Sequence, residues 1–151
     1  MEIKKILVAL DGGDQAQKAL EAAIEISRNS GAEIYLASAY ALPPVYQISI
    51  SMGGIYPDNP TVTEYMYKTT HDQLEKLLTD AAALVSSQNI PVFTEILDGA
   101  AGPMIIQLAE GKSVDLIAVG SHNRSAVDRF FMGSVSNYVV HHAPNLVLIA
   151  K

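Results

Sequence analysis

Cysteine is absent from the chain, so a disulfide framework and a thiolate zinc site are both excluded. Basic residues are few, 10 Lys and Arg against 16 Asp and Glu, and they form no cluster along the sequence. A net charge of −6 lacks the basic footprint that a binder of phosphate backbones needs, which argues against nucleic acid. No apolar run approaches the ~20 residues required to cross a bilayer. The opening, Met1-Glu2-Ile3-Lys4-Lys5, leads directly into a strand pattern and has no apolar h-region, so a cytoplasmic protein is expected. Several catalytic signatures are missing too. The first turn reads Asp11-Gly12-Gly13-Asp14, not the Gly-x-Gly-x-x-Gly of a dinucleotide oxidoreductase, and it carries two carboxylates. There is no Walker Gly-Lys-(Ser/Thr), no Ser-Gly-Gly-x-Asp-Ser loop of an ATP pyrophosphatase, and no Gly-x-Ser-x-Gly elbow.

What is present is apolar, at 49% of 151 residues, enough for one domain over residues 1–151 with a substantial core. Ile3 to Leu10 is a buried-strand run, and from Ala16 the apolar spacing becomes helical until Asn29-Ser30-Gly31, a C-cap signal. Glu33 to Tyr40 reads as a second strand. A long loop is expected over 41–62, rich in Pro and Gly yet carrying Tyr46, Ile48, Ile50, Met52, Ile55 and Tyr56; loops of that length often act as lids or partner surfaces. Thr61-Val62-Thr63-Glu64 is a capping-box pattern for a second helix, with Met66, Leu74, Leu77, Leu78, Ala81, Leu84 and Val85 on one face. Val92 to Leu97 is a third strand, Gly102-Pro103 opens a third helix, Val114 to Val119 is a fourth strand, and a fourth helix begins near Val135 and ends by Pro144. Leu146 to Ala150 supplies the fifth strand. Apolar strands alternating with helices specify an α/β protein with a parallel sheet.

The residues from Gly120 to Ser136 carry the functional signal. A glycine at a strand's carboxyl end permits positive φ and close approach of a ligand, and a Gly-Ser pair opening a helix presents free N–H groups and a hydroxyl, a chemistry suited to phosphate. The spacing Gly120-x2-Asn123-x9-Gly133-Ser134-x-Ser136 resembles the nucleotide-binding motif of the universal stress protein family, Gly-x2-Gly-x9-Gly-(Ser/Thr). Asn123 stands in place of the second glycine; asparagine takes the left-handed conformation most readily among the other residues, although its side chain occupies space beside a ligand. Ile6-Leu7-Val8-Ala9-Leu10-Asp11-Gly12 is similar to the family's first strand with its acidic residue. Gly99-x-Ala101-x3-Ile105 is similar to a Gly-x-Pro-x3-Ile segment, with alanine for proline. Gly133 to Val140 followed by Ala143-Pro144 is a close match to the family's C-terminal signature.

The resemblance implies an open five-stranded parallel sheet of order 3-2-1-4-5 with helices on both faces, Rossmann-like and adenine nucleotide α-hydrolase-like. It implies ATP or AMP bound by residues matching Asp11, Ala39, Gly120, Asn123, Gly133, Ser134, Val135 and Ser136; a bound triphosphate would bring magnesium on its phosphates. It also implies a homodimer through the C-terminal strand 145–150, which fits an apolar edge strand that needs cover. By charge, Asp11 belongs with ribose hydroxyls or the adenine amino group and the phosphates with Gly120 to Ser136, and the resemblance implies that Ala39 offers backbone groups to the adenine, so that its side chain matters little.

Each residue also has a plainer reading. Asp11 caps a turn, Gly120 ends a strand, and Gly133-Ser134 is an ordinary N-cap. His122 either reaches a phosphate or transfers a proton, or is a surface histidine without a partner; Arg124 either contacts phosphate or pairs with Asp128. His141 and His142 point about 100° apart, so no protein metal site is expected. Asp115 lies roughly 16 Å from Gly120 along the strand, at the opposite end, and has a structural role. Three functions stay open: an adenine-nucleotide-binding regulatory protein acting on an unknown protein partner, a slow ATPase on the same site, and a family member without nucleotide binding, for which Asn123 is the mark. Binding ranks first because no convincing general base stands beside the phosphate loop.

Overall fold

The structure, a computed structural model, describes residues 1–40, 60–122 and 132–151. Among the described residues, five strands alternate with four helices: β1 (Lys5–Ala9), α1 (Asp14–Ser30), β2 (Glu33–Tyr40), α2 (Pro60–Ser86), β3 (Val92–Asp98), α3 (Ala101–Lys112), β4 (Leu116–Gly120), α4 (Ser134–His142) and β5 (Leu146–Ala150). The strands form one parallel sheet of order β3-β2-β1-β4-β5, the order expected. Because β1 lies between β2 and β4, chain direction across the sheet reverses there, and a crevice opens beyond the carboxyl ends of β1 and β4.

Strand alternation divides the core in two. Ile6, Val8, Ile34, Leu36, Leu116 and Ala118 face Ala19, Leu20, Ala23, Leu78 and Val85 of α1 and α2. Leu7, Ala37, Leu97, Ile117 and Val119 face Ile105, Leu108 and Ala109 of α3 and Val139 of α4. The inner strands are apolar on both faces because both are covered, and this is why β1 and β4 read as unbroken apolar runs. α1 stops at Gly31, whose φ of 76° lets its N–H reach the Ser27 carbonyl, the C-cap read from the sequence.

Several bounds differ from expectation. β1 is shorter than the expected Ile3 to Leu10, and β4 begins two residues later and ends one later than the expected Val114 to Val119, although Lys4, Leu10 and Asp115 still bond to neighbouring strands. α1 starts at Asp14, two residues before the first apolar helical position, since Asp11 rather than an N-cap side chain organises its entry. α2 begins at Pro60, so residues 60–62 are helical, not loop; proline suits a first turn, where its missing N–H has no partner to lose. The remainder of the expected loop, 41–59, lies outside the described residues, as do the lid and partner roles read for it.

Asp115 has the structural role expected of it. Its Oδ2 accepts from the backbone N–H groups of Lys4 and Lys5 at 2.9 and 3.0 Å, so it ties the start of β1 to the start of β4.

Candidate functional site

A cavity of about 280 Å³ occupies the crevice at the reversal point. Its floor exists because three neighbouring positions are small. Ala9 and Ala37 are in register on β1 and β2, and Ala39 follows two residues on along the same face, where a larger side chain would fill the space. Asp11, Gly120 and His122 stand at the rim, Ala101 and Ile105 of α3 and Leu74 of α2 close the sides, and Gly133, Val135 and Ser136 bring in the start of α4. Ala39 thus contributes a small side chain to the hollow as well as main chain at its wall.

Asp11 combines its two readings. Its Oδ1 accepts the Gly13 N–H at 2.7 Å and fixes the turn, where Gly12 takes a left-handed φ of 79°. The carboxylate is exposed at the cavity rim, and Oδ2 has no protein partner among the described residues.

Gly120 works differently from expectation. Its φ is not positive; a Cβ there would lie 2.8 Å from the Ala16 backbone nitrogen and 2.9 Å from Gln15. The glycine lets the first turn of α1 pack against the end of β4, an approach that no L side chain permits.

The two ends of the motif are bonded to each other. The Ser121 carbonyl accepts the Gly133 N–H at 2.6 Å and lies 3.0 Å from the Ser136 hydroxyl, which is also 3.0 Å from the Gly133 carbonyl. Ser136 is buried, and its hydroxyl serves this clamp. The Gly133 N–H is likewise engaged. Gly133 is the N-cap of α4 without a side-chain cap bond, and the first intrahelical bond is Asn137 N–H to Gly133 carbonyl. The N–H groups of Ser134, Val135 and Ser136 are thus the first-turn donors without a partner among the described residues, an arrangement that favours an anion. Ser134 itself is exposed and does not line the cavity.

His122 is half-buried, which corrects the picture of a partnerless surface histidine: its Nδ1 shares a hydrogen bond with Ser121 Oγ at 2.8 Å. Its Nε2 is buried without a partner among the described residues. Asn123, Arg124 and Asp128 lie outside the described residues. Away from the cavity, His71, Asp72 and Glu75 of α2 place ligand-type atoms within 4.8 Å of one another, on a helix face where acidic groups occur without an ion.

Sequence reading passed over Ala9, Ala37, Ser38 and Ser121. The alternation Ala37-x-Ala39 within otherwise large apolar residues was the available signal for the hollow; nothing in the sequence singles out Ser121, since its contribution is a main-chain carbonyl.

The sheet order and the hollow at its reversal point define a Rossmann-like α/β protein. Residues 2–151 match the model of the Universal stress protein family, and the chain belongs to that family. A universal stress protein of Thermus aquaticus is 32% identical over 148 residues, covering 98% of each chain. Among solved structures, the hypothetical protein MJ0577 superposes with a TM-score of 0.84 at 19% identity, covering 100% of this chain and 97% of that one. A universal stress protein in complex with cAMP gives a TM-score of 0.66 at 22% identity, covering 100% and 98%. The universal stress protein from Archaeoglobus fulgidus in complex with dAMP gives 0.64 at 22% identity, covering 100% of both chains. At such identities these likenesses speak for the fold.

Proposed function

We propose that this chain is an adenine-nucleotide-binding universal stress protein, taking AMP or ATP in the crevice between β1 and β4 and acting as a dimeric regulatory module. One observation carries the reading: a single hollow has a carboxylate at one rim and the open first turn of a helix at another. A nucleotide has the matching asymmetry. Its ribose hydroxyls donate to Asp11, and its phosphate charge favours the Ser134, Val135 and Ser136 N–H groups. The bound dAMP and cAMP named for two structures of this fold support the same class of ligand. Ala39 reads the base with its main chain, donating to the ring N1 and accepting from the 6-amino group. Magnesium, where ATP is the ligand, enters on the phosphates.

Titration calorimetry with AMP and with ATP tests this. Asp11→Ala is expected to weaken binding by about tenfold or more, the usual loss when a charge-assisted hydrogen bond is removed. Gly133→Val, which places a branched side chain in the cavity wall, weakens it as well, whereas Asp115→Ala at the far end of the sheet leaves affinity unchanged. Mass analysis of small molecules released from freshly purified protein identifies the nucleotide. Absence of heat at millimolar AMP and ATP, with nothing released, defeats the proposal.

A further inference from the structure

β2 bonds to its two neighbours on alternate residues. Its odd positions face β1: Glu33 N–H donates to the Lys4 carbonyl at 2.9 Å, and the Ala37 carbonyl accepts from Leu10 N–H at 2.8 Å. Its even positions face β3, from Ile34 N–H on the Pro91 carbonyl to Gly99 N–H on the Tyr40 carbonyl. The next rung toward β1 is Ala39 N–H to the Leu10 carbonyl. That rung is absent. The Leu10 carbonyl instead accepts from Ser38 Oγ at 2.7 Å, and Ser38 is only 2% exposed. Ala39, which lines the cavity, has neither its N–H nor its carbonyl bonded across to β1 among the described residues.

We infer that Ser38 is a positioning residue that substitutes its hydroxyl for the last rung between β1 and β2, and so releases the Ala39 main-chain donor and acceptor into the cavity as a base-reading pair. The inference rests on the nucleotide reading for its consequence, but not for its structural content. With the Leu10 carbonyl satisfied by a side chain, Ala39 N–H has no competitor within the protein, and the pair offers one donor and one acceptor side by side. Adenine presents the complement, an acceptor at N1 beside an amino donor. Guanine and hypoxanthine present the reverse, a ring N–H beside a carbonyl oxygen, and leave both protein groups facing like partners, which is how a site built for one pattern rejects the other. In the absence of the hydroxyl the sheet closes one rung further, and the donor is spent on Leu10. Ser38 also holds the Leu10 carbonyl one residue before Asp11, so the same bond sets where the carboxylate begins.

The variant Ser38→Ala tests this with two measurements. Amide hydrogen exchange, followed by NMR without ligand, is expected to show Ala39 exchanging freely beside a protected Ala37 in the native chain, and Ala39 slowing by about tenfold in Ser38→Ala as it takes up the Leu10 carbonyl. Calorimetry is expected to show AMP bound about tenfold more tightly than 1-deaza-AMP, which lacks the N1 acceptor, by the native chain, and the two bound alike by Ser38→Ala. A merely structural serine lowers both affinities together and leaves their ratio intact. Equal Ala39 exchange in the two proteins overturns the inference, whether or not nucleotide binds; an unchanged ratio of AMP to 1-deaza-AMP overturns the base-reading role. Slowed Ala39 exchange in a protein that ignores AMP upholds the rung substitution and defeats the nucleotide reading instead.

Discussion

Gly120 shows how one position can be read correctly as special while part of the reason goes unseen. The sequence marks it as a glycine at a strand's end, a place that suggests a ligand or a left-handed turn. The structure gives it a neighbour made of protein: the first turn of α1, 2.8 Å from where a Cβ would lie. Gly120→Ala is therefore expected to destabilise the fold by about 1–3 kcal/mol, the range for an overpacked contact against backbone that cannot rotate away. Urea denaturation measures it, and a midpoint equal to that of the native chain contradicts the packing account. Asp11, by contrast, was legible at both its levels, as the acid of a turn and as a polar group at a strand tip. Ser136 was legible only as a motif member. A buried hydroxyl and an exposed one look the same in a sequence, and its inward bond depends on the Ser121 carbonyl fifteen positions away. Ser38 gave no sign at all, because one small polar residue in a buried strand is ordinarily just tolerated there.

Among elements, the order of strands and helices followed from hydrophobic period, because the inner strands are covered on both faces and the helices on one. Their termini were less legible. A strand does not end where apolar residues run out: β4 continues to Gly120, past Val119, and β1 starts only at Lys5, after Ile3. Helix α4 is held to α3 through a close approach: a Cβ on Gly102 would lie 2.8 Å from two atoms of the Tyr138 ring, and that ring stacks on His142 at 3.9 Å between centroids. A larger residue at 102 has to push α4, and with it the first-turn N–H groups, away from the cavity. Gly102→Val is expected to lower stability by at least about 1 kcal/mol and to reduce AMP affinity as well. Thermal unfolding and calorimetry on the same sample separate the two effects, and unaltered affinity in a folded variant removes the coupling between the α3–α4 contact and the site. Asp115 belongs to the same scale, since it joins two strand starts. Asp115→Ala leaves the Lys4 and Lys5 N–H groups without their acceptor and is expected to cost about 1–3 kcal/mol, seen in urea unfolding, with binding intact.

For the molecule as a whole, the edge strands of the sheet among the described residues are β3 and β5. β3 sets Phe93, 49% exposed, beside exposed Thr94 and Glu95, while β5 carries Leu146 at 41% exposure beside Val140 of α4, also 41% exposed. An apolar edge strand of this kind is a template for pairing, and it supports a dimer formed by two β5 strands. The register identifies a test. Leu146 N–H and the Ala150 carbonyl bond to the β4 side, so the even positions of β5 are committed inward and Val147 presents its N–H to the free edge. Val147→Pro removes that outward donor while sparing the inward ladder. Sedimentation is expected to show a dimer for the native chain and a monomer for the variant, with the circular dichroism of both alike; a monomeric native chain dismisses the edge-pairing model.

The bond between Ser121 and Gly133 has a further meaning for what joining its two ends costs. Where two points of a backbone are fastened directly, whatever connects them becomes a closed excursion whose length enters the folding free energy only logarithmically, about 0.6 kcal/mol per doubling. The fastening thus keeps the residue just past β4 and the first turn of α4 side by side at a cost that depends little on how much chain is spent between them.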